Sequence, residues 1–331
     1  MITMIANPKI ETMDRFQLED YQLEALKKRV KWAHEKSAYY QRAFEEAGVS
    51  PQDIQTLEDI QKLPFTERSV LKEVSVFDLL TLPMSGVLRI SRQGDAETFI
   101  KMYTSGDVAR QMEMMTRVLI AYGINDTTVV GLLGEASDSR LMDVQYALEG
   151  IGASVMLMGS NMDNIVELMT RCHVDVLISD FRLVTQFIVK LQADGENAQD
   201  LYLPSIVCLE ETLHNPMRAY LERRMNVRTN TVYNSPGFGC AGIMYQCPED
   251  KGFHIQEDYF YPEIVEFGSN QVITEPHRVG ELVLTSLANE AMPIFRLRTG
   301  HAVLRIDDEC VCGRTMMRVA EPTEYEGNAS N

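Results

Sequence analysis

The chain has 331 residues, 45% of them hydrophobic, a share that can build one large domain or two smaller ones. Its 31 Lys and Arg against 48 Asp and Glu give a formal net charge of −17 at pH 7, and so negative a surface argues against nucleic-acid and membrane partners. The apolar runs are too short to span a bilayer and the first residues do not resemble a secretory signal, so we predict a cytoplasmic protein.

The first 85 residues are predicted to be helical. Apolar side chains recur at helical spacing through residues 23–47, and Gly48 is a typical helix stop. Two brief helical segments follow, with polar outer faces. Residues 1–85 are therefore treated as a helical N-terminal region.

Residues 86–235 show a different pattern, in which short apolar runs alternate with amphipathic stretches. This alternation is typical of a parallel sheet covered by helices on both faces, which places the chain in the α/β class. The predicted strands are 128–134, 153–158, 174–179, 205–209 and 228–233. The predicted helices are 137–150, 161–172, 181–193 and 213–225.

Residues 236–319 lose the helical periodicity and are predicted to form a β-rich subdomain. Gly, Pro and Asn turns separate its strand-like runs. The predicted strands are 253–256, 262–267, 280–286, 293–298 and 302–306. Residues 320–331 are polar and are predicted to be a disordered tail.

Four segments of the chain resemble one known family. They are residues 38–73 (AYYQRAFEEAGVSPQDIQTLEDIQKLPFTERSVLKE), 245–268 (YQCPEDKGFHIQEDYFYPEIVEFG), 280–300 (GELVLTSLANEAMPIFRLRTG) and 310–319 (CVCGRTMMRV). Together they resemble the phenylacetate-CoA ligase family of adenylate-forming proteins. The resemblance implies that the chain corresponds to the large N-terminal domain of these proteins. It also implies that ATP and Mg²⁺ activate a carboxylic acid as an acyl-adenylate before its transfer to a thiol.

The phosphate-binding loop departs from the family's pattern. The Ser/Thr/Gly-rich loop falls on residues 91–99, where Asp95 and Glu97 would face the ATP phosphates and repel them. Residues 103–107 (YTSGD) fit the helix start that follows the loop in the family. A second alignment takes residues 104–106 as the loop remnant but breaks the register downstream.

Three further nucleotide-binding elements also differ from the family's pattern. The acidic magnesium ligand becomes Gly237, and the aspartate that holds the ribose hydroxyls becomes His301. The sequence stops near where the family's hinge would begin, so the C-terminal lid and its lysine are predicted to be absent. The sequence assigns no catalytic residue. Some residues at the positions of the family's nucleotide or substrate pocket are still predicted to line a pocket, called here the pocket remnant. The pocket remnant comprises Glu211, Tyr233, Asn234, Ser235 and His301.

Three cysteines and one histidine form a candidate structural zinc site. Six residues separate Cys247 from His254, and one separates Cys310 from Cys312. A Cys₃His set is closed, with no position open to water, and such sites are structural. Spacing alone equally fits reduced thiols beside an incidental histidine. The resemblance matches all four positions and implies bound zinc.

Several of these residues have a second interpretation. Cys240 is an alternative metal ligand or a residue that lines the substrate pocket. Glu211 also fits a charge cluster ahead of a helix, and His301 is either a general base or a hydrogen-bonded structural histidine. Cys172 and Cys208 lie in apolar surroundings and are predicted to be buried, reduced thiols.

The sequence leaves two leading functions open. The first is an acid-activating protein without its lid, whose ATP and Mg²⁺ use is in doubt and whose missing lysine a partner protein would supply. The second is an inactive pseudoenzyme, held together by zinc, that binds a metabolite or a partner. A third function, zinc-dependent hydrolysis, would need an open metal position. The expected ligand is a small carboxylic acid, and the oligomeric state is not predicted.

Overall fold

A computed structural model describes residues 4–93, 99–135, 137–211, 215–235, 237–249, 252–275, 277–320 and 322–324. Its α-helices are α1 (Pro8–Glu11), α2 (Arg15–Lys36), α3 (Ala38–Ala47), α4 (Val70–Glu73), α5 (Val76–Leu79), α6 (Ser105–Ala121), α7 (Ser139–Ile151), α8 (Ile165–Cys172), α9 (Phe181–Ala193) and α10 (Asn215–Met225). Its first seven strands are β1 (Arg89–Gln93), β2 (Phe99–Tyr103), β3 (Val129–Leu133), β4 (Ser154–Gly159), β5 (Val176–Ser179), β6 (Ser205–Glu210) and β7 (Arg228–Ser235). The others are β8 (Cys240–Gln246), β9 (Phe253–Ile255), β10 (Phe260–Val265), β11 (Val279–Ser286), β12 (Leu297–Ile306), β13 (Arg318–Val319) and β14 (Thr323–Glu324). No helix in these ranges is both long and apolar enough to cross a bilayer.

Twelve of the described strands form one hydrogen-bonded sheet, which confirms the predicted α/β class. The strand order is β10-β11-β12-β13-β9-β8-β7-β6-β5-β3-β4, and β14 pairs with β12. The strands from β7 to β4 pair in parallel and the others antiparallel. Strands β7 and β8 pair, so the sheet continues across the boundary predicted between residues 235 and 236. The division of the chain into domains stays a prediction. The tail predicted for residues 320–331 is wrong at residues 323–324, which form β14 beside β12, and most of the tail's other residues lie outside the described ones.

Helices cover both faces of the parallel strands, as predicted. In β5, Val176 and Ile178 belong to one apolar core, whereas Leu177 between them belongs to a second. Successive apolar residues point to opposite faces of a strand, so each parallel strand is buried on both sides. Helices α6 and α7 pack on the first core, and α8, α9 and α10 pack on the second.

A third core joins the N-terminal helices to the antiparallel half of the sheet. Tyr40 and Phe44 of α3 both contact Phe295, with ring centroids 5.0 and 5.8 Å apart. Edge-to-face contacts of this kind favour a fixed orientation of the rings. The N-terminal region is therefore packed against the strands that carry the candidate site.

One predicted helix and one predicted thiol differ from the structure. The helix predicted for residues 23–47 is two helices, because the extended backbone of Ser37 ends α2. The Ser37 hydroxyl then accepts a hydrogen bond from the Tyr40 N–H and begins α3. Cys208 is buried as predicted, whereas Cys172 is exposed because it lies in the outer last turn of α8.

The predictions for two strands also need correction. The strand predicted for residues 293–298 is wrong over most of its length, since β12 begins at Leu297. Arg296 has a φ of 47°, and its N–H donates to Thr285 Oγ1 instead of to a neighbouring strand. Strand β8 is missing from the sequence-based prediction, because its seven residues are all buried and show no alternation of polar and apolar positions.

Candidate functional site

The four predicted metal ligands converge in the antiparallel part of the sheet. Cys247 directly follows β8 and His254 lies in β9, while Cys310 and Cys312 occupy the loop between β12 and β13. Strand β9 pairs with both β8 and β13, so the sheet brings the two halves of the set together. All four side chains are buried and their ligand atoms lie within 4.8 Å of one another. This Cys/His cluster could hold a metal ion.

The distances between the ligand atoms fit a tetrahedral metal site. The sulfurs of Cys247 and Cys310 are 3.6 Å apart, and the sulfur of Cys312 is 3.4 Å from His254 Nε2. Bonds of about 2.3 Å to sulfur and about 2.05 Å to nitrogen, at tetrahedral angles, give separations of about 3.8 and about 3.6 Å. A disulfide would need about 2.05 Å between the sulfurs. Cys240, the alternative ligand, is not part of the cluster.

Backbone amides also point at the three sulfurs. The N–H of Glu249 donates to Cys247, that of Cys312 to Cys310, and that of Arg314 to Cys312. The pKa of the Cys312 thiol is lowered, chiefly by the hydrogen bond from the Cys247 side chain. Amide donors stabilise thiolates, and the thiolate is the form that binds a metal.

A buried ion pair supports the cluster from the N-terminal side. Arg314 Nε lies 2.6 Å from Glu11 Oε2, and neither side chain is exposed. The same guanidinium hydrogen-bonds Cys312 and lies 5.6 Å from the centroid of the Tyr245 ring. The Thr315 N–H donates to the carbonyl oxygen of Glu11 at 3.0 Å. Helix α1 is thus fixed to the loop that carries Cys310 and Cys312. The sequence gives no sign of this contact, because its two partners are 303 positions apart.

In the pocket remnant, Tyr233 and His301 form a buried hydrogen-bonded pair. They lie in β7 and β12, are 1% and 4% exposed, and the Tyr233 hydroxyl is 2.9 Å from His301 Nδ1. The rings meet edge to face with centroids 5.6 Å apart. Burial, and after it the charge of Arg68, lowers the pKa of His301 to about 4, so the imidazole is neutral at pH 7. One of its ring nitrogens is engaged within the protein.

The other residues of the pocket remnant lie close to this pair. Glu211 is 3.5 Å from Arg68, and its charge adds to the burial that raises the pKa of Tyr233. Asn234 and Ser235 end β7 and are 3% and 5% exposed. Asn234 Nδ2 has no hydrogen-bond partner within the part of the chain described. The structure therefore brings the whole remnant to the carboxyl ends of β6 and β7, where open α/β sheets bind ligands.

Gly237, where the sequence expects the family's acidic magnesium ligand, has two leucine side chains close to the place of a Cβ atom. A Cβ atom there would lie 2.8 Å from Leu297 Cδ2 and 3.1 Å from Leu71 Cδ1. A carboxylate at this position would require both leucines to move. The predicted phosphate-binding loop is a separate matter, since Asp95 and Glu97 lie outside the described residues.

The alternative phosphate-loop alignment, residues 104–106, falls on the start of α6. The Thr104 hydroxyl accepts a hydrogen bond from the Asp107 N–H, and the Asp107 carboxylate accepts one from the Thr104 N–H, both at 3.0 Å. This capping box satisfies two of the amides that a phosphate loop would direct at its ligand. Residues 103–107 thus contain the helix start predicted from the sequence.

The depressed pKa of His301 predicts that the fold loses stability in acid. In the unfolded chain the imidazole takes up a proton near pH 6.5, whereas in the folded chain it does so near pH 4. As the pH falls from 6.5 to 4, protons bind the unfolded chain more readily than the folded one. The free energy of unfolding of the protein therefore decreases by about 3 kcal/mol in total. His301→Gln is expected to flatten this dependence in urea unfolding at about pH 7 and about pH 4.5, whereas His173→Gln, at an exposed site, is not. Equal pH slopes for the wild-type chain and His301→Gln would disprove this origin.

Comparison with known proteins identifies relatives among the phenylacetate-coenzyme A ligases. No protein-family model matches the chain. The phenylacetate-coenzyme A ligase of Thermus thermophilus is 27% identical over 321 residues, which cover 96% of this chain and 72% of the relative. The phenylacetate-coenzyme A ligase of Escherichia coli K12 is 30% identical over 305 residues, which cover 89% of this chain and 70% of the relative.

The fold is similar to that of solved acid-CoA ligases. A crystal structure of 2-hydroxyisobutyryl-CoA ligase with 2-HIB-AMP and CoA matches with a TM-score of 0.86. The match covers 94% of this chain and 75% of that chain at 17% identity, which shows a shared fold. Because the sequence identity to the E. coli relative reaches 30% across 70% of its length, the chain belongs to the phenylacetate-CoA ligase family of acid-activating, adenylate-forming proteins.

Proposed function

We propose that this chain is a zinc-stabilised binding module for a small carboxylic acid that does not carry out ATP-dependent activation. The observation that carries the proposal is the buried contact between Tyr233 and His301. In the family's pattern a carboxylate at position 301 accepts hydrogen bonds from both ribose hydroxyls. A neutral imidazole with Nδ1 engaged by Tyr233 has one ring nitrogen left, so it cannot replace a carboxylate that accepts two.

The surroundings of Gly237 support the same proposal. The family's magnesium ligand is an acidic side chain, whereas here even a Cβ atom would meet Leu297 at 2.8 Å. Magnesium bound to ATP is usually held by one or two protein carboxylates. Without that ligand, the phosphates would lack their protein-bound counterion. The relatives are named for phenylacetate, so the proposed ligand is an arylacetic or similarly small acid.

We assign the metal as zinc with a structural role. The donors are three thiols and one imidazole, a set that favours zinc over magnesium or calcium. Four protein ligands complete a tetrahedron and leave no position for a reacting water, so the site does not fit a zinc hydrolase. Its role would be to join β8 and β9 to the loop that follows β12.

Calorimetry with ATP and Mg²⁺ tests the proposal directly. We expect no measurable binding at about 1 mM nucleotide, which corresponds to less than about 4 kcal/mol of binding free energy. The E. coli phenylacetate-coenzyme A ligase, titrated under the same conditions, is the positive control. A micromolar dissociation constant, or acid-dependent exchange of pyrophosphate into ATP, would disprove the loss of ATP chemistry.

A second candidate function is ATP-dependent acid activation that depends on a partner protein. It is favoured by the retained Glu211 and by the identity to a ligase across most of its length. This candidate requires that the isolated chain bind ATP with Mg²⁺, because adenylation starts from a nucleotide already in place. The same calorimetry therefore separates the two candidates.

A further inference from the structure

A buried lysine lies beside the region of Gly237. Lys101, in β2, is 3% exposed, although lysines are almost never fully buried without a partner. Its aliphatic stem is held in place by the turn before β8. At Gly239, with a φ of +67°, a Cβ atom would lie 2.5 Å from Lys101 Cγ, so the turn backbone packs directly against the stem.

The ammonium group of Lys101 has one hydrogen bond among the described residues. Nζ donates to the carbonyl oxygen of Met292 at 3.0 Å, whereas an ammonium group has three protons to donate. Cys240 and Asp107 are the acidic groups that act on its charge. Burial raises the pKa of the Cys240 thiol and keeps it uncharged, and the Asp107 carboxylate accepts hydrogen bonds from three backbone amides. Lys101 is therefore a buried cation that forms no ion pair within the described chain, although the negative charge of Asp107 acts on it.

A pocket opens at this cation, and its walls are almost entirely apolar. Its inner end has space for about one water-sized group, and its empty volume of ≈ 260 Å³ includes the open solvent at its mouth. Lys101 is the charged residue among those that line it; the apolar ones include Leu71, Leu79, Phe99, Met292 and Ile294. The inner end suits one carboxylate group beside Lys101, with a short apolar body lying towards the open mouth, since a doubly charged ligand would bury an unpaired charge.

We propose that this pocket is a carboxylate-binding site in which the Lys101 ammonium group binds the carboxylate directly, without metal or nucleotide. The inference rests on the proposed function as an acid-binding module and identifies the residue that recognises the acid. The two free donors of Nζ would meet the carboxylate oxygens, and the apolar side chains would cover the body of the acid. Burial also lowers the pKa of Lys101, to about 8, and a bound carboxylate would relieve this unfavourable burial of charge.

Calorimetry with paired probes tests the inference. Phenylacetate and isobutyrate are titrated into the wild-type chain without ATP, beside their uncharged amides of the same shape. We expect the acids to bind at least about tenfold more tightly than the amides, because charge-assisted hydrogen bonds are roughly twice as strong as neutral ones. Lys101→Met, which keeps the length of the side chain, is expected to lower the affinity for both acids at least about tenfold.

Two controls make the result decisive. Lys31→Met removes a lysine whose side chain is 69% exposed, on α2, and should leave acid binding unchanged. The melting temperature of ligand-free Lys101→Met should not fall, since replacing a buried charge by an apolar side chain is often neutral or stabilising. Equal binding of acids by the wild-type chain and Lys101→Met, or equal binding of acids and amides, would overturn the assignment of Lys101 alone. No acid binding by the wild-type chain would overturn the proposed acid-binding function as well.

Discussion

Replacing Cys312 by serine is expected to abolish the metal binding proposed for the Cys/His cluster and to lower the melting temperature by roughly 10 °C. A metal present at about 1,000 times its dissociation constant stabilises the folded chain by about 4 kcal/mol, and this contribution is lost with the site. Each kcal/mol corresponds to about 2–4 °C in a domain of 150–250 residues. Elemental analysis of the purified chain and differential scanning calorimetry measure the two effects.

The matched control for this experiment is Cys172→Ser. Cys172 is an exposed cysteine outside the cluster, so this variant should keep one metal ion per chain and the wild-type melting temperature. Equal metal content in Cys312→Ser and the wild-type chain would show that Cys312 is not a ligand. Absence of metal from a wild-type chain purified with zinc in every buffer would refute the metal site itself.

Arg296→Met is expected to lower the free energy of unfolding by about 3–5 kcal/mol, because it leaves a buried carboxylate unpaired. Arg296 makes two hydrogen bonds to Glu263, at 3.0 and 2.9 Å, and both side chains are at most 3% exposed. Its Nη1 also donates to the carbonyl oxygens of Gln61 and Leu63, each at 3.0 Å. The pair thus joins the N-terminal region to β10. Urea unfolding of the wild-type chain and of Arg296→Met measures the change in the free energy of unfolding.

Two further variants test this explanation. Arg278→Met breaks an ion pair whose side chains are 45% and 40% exposed, and it should lower the free energy of unfolding by less than about 1 kcal/mol. The double variant Arg296→Met with Glu263→Met removes both buried charges and should be more stable than Arg296→Met alone. A double variant no more stable than the single one would show that packing, and not the stranded carboxylate, accounts for the loss.

The parts of the fold that depend on local pattern could be predicted from the sequence. The parallel strands β3 to β7 alternate with helices because each apolar run must be covered on both faces, and that requirement is visible in the residues themselves. Strand β8 and the segment before β12 could not be predicted in this way. All seven residues of β8 are buried, and at Arg296 a side-chain acceptor, Thr285 Oγ1, replaces the strand partner.

The candidate site also contains residues that the sequence can predict and residues that it cannot. Cysteine and histidine spacing, with the family resemblance, identifies the four residues of the Cys/His cluster, because ligand chemistry restricts which residue types can serve. Glu11, Arg314 and Lys101 have no such signature, since any surface helix or strand carries similar charges. Their roles follow from burial, which depends on residues far away in the chain. One local sign of Lys101 exists, a single charge within the otherwise apolar strand β2.

The ion pair between Glu11 and Arg314 also sets an order for the assembly of this protein. At about 5–20 residues per second, a ribosome needs roughly 15–60 s to extend the chain from Glu11 to Arg314, which is 303 positions further along. During that interval helix α1 has no buried partner and Glu11 stays in water, while the helix-covered parallel strands can already form. The docking of α1, and any capture of a metal by the Cys/His cluster, must therefore wait until the loop after β12 has been made, so two segments synthesised far apart in time come together.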